Sequence, residues 1–184
     1  MLMRLILALV LLVPNNDYLP LKAGANVTYQ VEDVGAEAVN PPADVVAEVG
    51  TSEDEWLQVS NYLGYRRCWL RATDTGVDLK LEAKADAPVI TILKTSAKVG
   101  ETWTGSFGRE TLTFTQRGLE RIERGDTRVQ AMHVEFTAAA DQHPGHQPTR
   151  GDVWFASGLG VVKAQVTTDL DCHTATSKVY TLKP

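Results

Sequence analysis

The sequence predicts a mainly β protein, a single domain built on a curved antiparallel sheet or partial β-barrel with one short helix. Three observations carry that expectation. Apolar and polar residues alternate along most of the chain after residue 24, at the two-residue period of a half-buried strand. Turn sequences rich in Gly, Asp and Thr separate the alternating runs. No stretch sustains a helical period with capping residues at its ends.

The first segment comprises residues 1–17. Arg4 precedes an uncharged, mostly large aliphatic run from Leu5 to Val13, and Pro14-Asn15-Asn16-Asp17 ends it. A basic start, a short apolar run and a polar break are the order of a secretory signal peptide. The run falls well short of the roughly 20 residues that a membrane-spanning helix needs. No A-x-A-like pair follows it, which leaves an uncleaved membrane tether or a buried apolar segment as the alternatives. Residues 18–184 form the expected β domain, exported to the periplasm or the cell exterior.

Within that domain Val27, Tyr29 and Val31 alternate with Thr28, Gln30 and Glu32. Gly35 to Pro42 reads as a loop, and residues 42–49 are where the short helix is expected. Val77, Leu79, Leu81 and Ala83 alternate with Asp78, Lys80, Glu82 and Lys84, the pattern of a strand with one solvated face. Leu112 and Phe114 lie between threonines, and Met132, Val134, Phe136 and Ala138 share one face. Val162, Ala164 and Val166 begin a further face that Leu170 and Cys172 continue. Thr73-Asp74-Thr75-Gly76 and Arg124-Gly125-Asp126-Thr127 read as hairpin turns. Ser157-Gly158-Leu159-Gly160 breaks another strand pair, and Asp141 to Gly151 reads as a long exposed hairpin connection.

A motif recurs. Lys22-Ala23-Gly24-Ala25-Asn26-Val27-Thr28 and Lys98-Val99-Gly100-Glu101-Thr102-Trp103-Thr104 both read Lys-x-Gly-x-x-apolar-Thr where a strand is about to start. A glycine there lets the backbone turn first. The echo suggests two similar half-sheets; a chance recurrence of so short a pattern is the alternative.

Composition narrows the function classes. The 184 residues suffice for one domain with a sizeable core, and 43% apolar with 22% charged residues is ordinary globular composition. A formal net charge of −5 gives no general attraction to nucleic acid or anionic lipid, so no nucleic-acid partner is expected. Two cysteines, Cys68 and Cys172, permit one intramolecular disulfide in an exported protein, provided that their strands are neighbours. Closing a loop of this length stabilises by up to about 4.7 kcal/mol. The alternative is two buried thiols acting as small hydrophobes.

Three further segments carry a likeness. They are Tyr18-Leu19-Pro20-Leu21-Lys22-Ala23-Gly24, Gly100-Glu101-Thr102-Trp103 and the late run Trp154-Phe155-Ala156-Ser157-Gly158-Leu159-Gly160-Val161-Val162-Lys163. In that order they resemble a scattered group of bacterial secreted and lipoprotein-like β domains of unknown function. The late segment is the most specific of the three. The resemblance implies a curved antiparallel sheet or partial barrel similar to periplasmic lipoprotein carriers, and it brings no catalytic residues with it. Val27 departs from the group, where an aromatic is usual, and the lipoprotein cysteine is missing. Physically, the late segment reads as a corner: Gly158 and Gly160 permit positive φ or a bulge, while Trp154 and Phe155 point to opposite faces.

Three clusters are candidate sites. Tyr65, Arg67, Trp69 and Arg71 share one strand face, and interleaved aromatics with guanidiniums suit a ligand or partner surface. The bland reading is an outer face held by cross-strand cation–π pairs. His143 and His146, with Asp141 near, are metal-ligand types in a Pro-Gly loop that lacks the three or four rigid ligands of a zinc site. Asp169, Asp171 and His173 alternate on one strand face and could hold a cation or a general base, or simply be solvated. No Gly-x-Ser-x-Gly, Walker loop, His-Glu-x-x-His or Cys-x-x-Cys is present.

The sequence therefore favours a non-enzymatic, exported or envelope-associated binding domain that holds an apolar ligand or a protein segment on its concave face. No cofactor is expected; the partner would be that apolar ligand or an envelope protein. A small hydrolase or metal-dependent enzyme, and a structural interaction module without a small ligand, are the other two readings.

Overall fold

The computed structural model describes residues 17–35, 40–107, 110–139, 149–171 and 174–184, excepting the side chains of 107, 110, 168–171 and 174–175. Twelve antiparallel strands form one sheet. The first half runs β1 Asn26–Val34, β2 Ala43–Glu53, β3 Trp56–Tyr62, β4 Tyr65–Thr73, β5 Gly76–Lys80 and β6 Ile90–Lys94. The second runs β7 Thr102–Phe107, β8 Glu110–Arg124, β9 Thr127–Ala138, β10 Arg150–Ala156, β11 Gly160–Asp171 and β12 Thr174–Leu182. The sheet order is β6-β5-β4-β3-β2-β1-β12-β11-β10-β9-β8-β7, so each half is a six-stranded meander and the two join where β12 pairs β1. The sheet curls until its two edges meet, giving a nearly closed barrel.

The recurring motif is the structural repeat that builds this barrel. In the first half Gly24 N–H donates to the Val49 carbonyl (2.8 Å), Ala25 N–H to Lys22 (3.0 Å) and Val49 N–H to Ala25 (2.9 Å). In the second, Gly100 N–H donates to Gln116 (2.7 Å), Glu101 N–H to Lys98 (2.9 Å) and Gln116 N–H to Glu101 (2.9 Å). Gly24 and Gly100 sit at φ 80° and 85°, a conformation that costs glycine little. The motif thus hooks the start of β1 onto β2 and the start of β7 onto β8.

The repeat makes the β1–β12 and β6–β7 boundaries equivalent positions, yet they differ. β1 and β12 are paired from Tyr29↔Leu182 to Val34↔Ser177. At the other boundary no ladder forms. There the Trp103 indole N–H donates to the Thr91 carbonyl (2.7 Å), and Ile90 lies over Gly105, where a Cβ would come within 2.6 Å of its side chain. Trp103 also stacks on Phe114, with centroids 5.7 Å apart. Side-chain contacts of Trp103 and Ile90 close here what a strand ladder closes opposite.

The core lies inside the barrel and draws on both halves. Tyr29, Val59, Leu70, Leu93, Val134, Phe155 and Val161 are all but inaccessible. The Tyr29 hydroxyl donates to the Val161 carbonyl (3.2 Å), tying β1 to β11. Leu19 is buried as well, because Gly158 N–H donates to Asp17 O (2.7 Å) and Pro20 lies against Gly160. Gly158 and Gly160 take φ 75° and 78°, as the corner reading of that segment requires.

Several expectations need correction. Residues 42–49 are not helical: they belong to the loop end and to β2, where Val45, Ala47 and Val49 alternate inward against β1. Helix propensity in Ala and Glu yields there to strand pairing. β5 stops at Lys80 and all five of its residues are buried, Asp78 and Lys80 included. The connection to β6 folds back over that face: Lys80 Nζ donates to the Ala83 and Lys84 carbonyls (3.5 and 3.3 Å), while Asp78 accepts from Arg71 and Thr91 (both 2.8 Å). Arg150 and Gly151 are not loop residues but open β10; a Cβ at Gly151 would lie 2.4 Å from the Gln165 carbonyl oxygen, so close strand approach demands the glycine. Cys68 is a free buried thiol on β4, whose sheet neighbours are β3 and β5, and burial pushes its pKa up to about 12. Cys172, its expected partner, lies outside the described residues.

Candidate functional site

The chemistry-bearing space of this fold is a cavity of about 370 Å³ inside one end of the barrel. Both repeats line it. Leu79 and Ile92 come from β5 and β6; Leu112, Phe114, Val134 and Phe136 come from β8 and β9. Val153, Phe155, Val166 and Tyr180 complete the wall from β10, β11 and β12. Strand alternation explains the composition, since every second residue of these strands points inward and the inward set is apolar.

The mouth lies where the β3–β4 hairpin, Thr149 and Lys178 reach the lining. Tyr65 and the Lys178 side chain are substantially exposed there, so the space communicates with solvent. The hairpin owes its shape to a run of left-handed residues: Asn61, Leu63 and Gly64 take φ 54°, 48° and 91°. Leu63 and Gly64 form the two-residue turn that suits the twist of a hairpin. Asn61 adds a further left-handed kink, and Tyr62 is buried beside Tyr29, centroids 6.1 Å apart and edge-on.

Among the described residues the cavity wall behind the mouth carries no charged side chain. Burial pushes the phenols of Tyr29, Tyr62 and Tyr180 above the usual tyrosine range, so all three keep their protons. Lys178 is the one charged residue lining the cavity among the described residues. It faces Asp33, its cross-strand partner, at 3.5 Å. Asp33 in turn accepts from the Asn40 amide at 3.1 Å, and this bond, with the Lys178 charge, holds its carboxyl below the ordinary value.

The candidate surface Tyr65, Arg67, Trp69 and Arg71 divides. Tyr65 belongs to the cavity mouth. Arg67, opposite Ser60, is exposed, and Trp69 is half-buried between Gln58 and Lys80. Arg71 is engaged: it pairs with Asp78 at 2.8 Å and lies 4.5 Å above the Trp56 ring, whose other cationic neighbour is Lys80 at 4.6 Å. His143, His146 and His173 lie outside the described residues, as do the side chains of Asp169 and Asp171, which enter β11 by their backbone. Among the described residues no three His, Cys, Asp or Glu side chains are grouped to hold a metal.

One cluster on the outer wall has no counterpart in the sequence reading. His133 Nδ1 meets Glu120 (2.7 Å) and Nε2 meets Asp152 (2.6 Å), while the Trp154 indole N–H donates to Glu120 (2.8 Å) and the His133 and Trp154 rings stack at 4.6 Å. The Trp154 bond is the main reason that the Glu120 carboxyl lies below the usual range. His133 thus bridges two carboxylates, one at each ring nitrogen. The cluster clamps β8, β9 and β10 together. A polar depression beside it is lined by Glu135 and Asp152, which are already paired with Arg117 and His133.

Comparisons with known proteins find likenesses among solved structures. No protein-family model matches the chain, and neither does a curated protein. A protein of Bacteroides fragilis described as exported, with a YmcC-like fold, is 10% identical over 88% of this chain and 95% of its own, with a TM-score of 0.48. The hypothetical lipoprotein YmcC of Escherichia coli is 16% identical over 93% and 90%, with a TM-score of 0.42. No residue role passes from either protein to this chain.

Proposed function

We propose that this protein is an exported, non-enzymatic binding domain whose barrel holds an elongated apolar ligand. The observation that carries the reading is the cavity of about 370 Å³, walled by aliphatic and aromatic side chains and open at one end. Ligand pockets are concave, mostly apolar and furnished with a few polar groups, and their volumes start near 300 Å³. An apolar space of this size left to water would forgo both dispersion contacts and hydrogen bonds. The N-terminal run from Leu5 to Val13 supports delivery across a membrane, which is where a lipid-binding domain would meet its ligand.

The test is titration of the full-length protein with N-phenylnaphthylamine, a neutral dye that brightens in apolar surroundings. Saturable binding at one site with micromolar affinity is the expected result. A signal that stays linear in dye, as for non-specific adsorption, contradicts the proposal.

A further inference from the structure

We infer that the occupant is a single acyl chain carrying an anionic head group, met at the barrel mouth by Lys178. The inference rests on the apolar-ligand reading and names its chemistry. Along β12 the residues at one parity are Leu182, Tyr180 and Lys178, and their β1 partners are Tyr29, Val31 and Asp33. The stripe is therefore apolar deep in the barrel and charged where it reaches the mouth. Lys178 lines the cavity and Asp33 does not, so an incoming head group meets the ammonium rather than the carboxylate.

Lys178 is able to respond. One Asp33 oxygen is taken by Asn40 at 3.1 Å, and the ammonium stands 3.5 Å from the other, a long contact for an ion pair. The side chain is half-exposed, and its three donors can swing toward a carboxylate or phosphate while Thr149, also at the mouth, offers a hydroxyl. Deeper burial of a charged head is excluded by cost, since the interior tyrosines are neutral and no cation among the described residues lines the wall beyond the mouth. The modest volume, near the lower end for ligand pockets, suits one chain rather than two.

The experiment is displacement of N-phenylnaphthylamine from the full-length protein by laurate, by lauroyl lysophosphatidylglycerol and by dodecanol, which share a chain and differ in head. At least one anion should displace the dye at a concentration at least tenfold below that of dodecanol. Laurate alone in this role identifies a free fatty acid, the phosphate arm alone identifies a lysolipid, and either supports the inference. Lys178→Met should remove the advantage of the anion and leave dodecanol unchanged, whereas Lys178→Arg should retain it. Equal displacement by all three compounds, or an anion advantage that survives Lys178→Met, overturns the head-group inference and leaves the apolar cavity standing. A protein that binds neither dye nor dodecanol overturns both.

Discussion

Replacing Gly76 by alanine is expected to lower the unfolding free energy by more than about 3 kcal/mol, the range in which a backbone clash rather than a lost contact is at work. A Cβ at this position would lie 1.7 Å from the Leu93 carbonyl oxygen, 2.8 Å from its carbon and 3.3 Å from the Lys94 Cα. All three are backbone atoms, so no side chain can rotate away. β5 and β6 must part. β6 ends the sheet, held by β5 and by the Trp103 indole on Thr91, and its Ile90 and Leu93 are completely buried. Exposing either costs about 1.5–3 kcal/mol. Gly50→Ala is the control: its Cβ would meet only ordinary contacts from 3.5 Å outward, and a change below about 1 kcal/mol is expected. Urea denaturation followed by tryptophan fluorescence compares the two; equal losses would show that close strand approach is not what Gly76 serves.

The second large effect concerns binding. Ile92→Trp from the first repeat and Val166→Trp from the second each place an indole into the cavity from a different wall. Both should reduce N-phenylnaphthylamine affinity at least tenfold. The fold should survive, because overpacking typically costs about 1–3 kcal/mol and here there is empty space to receive the ring. Two fillings from separate strands guard against a local distortion at one of them. Unchanged dye affinity in both folded variants would place the dye outside the barrel.

How much of this was legible follows from the physics of each element. Two-residue alternation reports one strand at a time, so the inward faces of β9 and β11 could be read directly: Val134 and Phe136, then Val166, point into the cavity. The turn glycines Gly125, Gly158 and Gly160 were equally plain. Gly76 was legible as a turn residue but not for its true constraint, which is the nearness of Leu93 on the next strand. Leu63 at φ 48° gave no signal at all, since leucine carries no preference for that conformation, and with it went the shape of the mouth.

Sites assembled across strands depend on register, which alternation does not encode. Trp154 stands opposite His133, and Glu120 reaches the same imidazole just beyond the irregularity between Gln116 and Gly118. Nothing local to any of the three marks that meeting. Lys178 was within reach of a closer reading, because it continues the Leu182–Tyr180 parity of β12 and a lysine at that parity stands out. The burial of Asp78 and Lys80 lay beyond reach, since the segment that covers them is not a strand and alternation treats their face as solvated.

The central claim is that the barrel interior accommodates a lipid-like molecule, and native mass spectrometry of the full-length protein after incubation with laurate or a membrane lipid extract tests it most directly. The predicted spectrum shows the polypeptide with one bound species of lipid-like mass, lost on denaturation and absent from the Ile92→Trp variant. Bare polypeptide under every loading condition, or the same adduct retained by Ile92→Trp, would contradict the account.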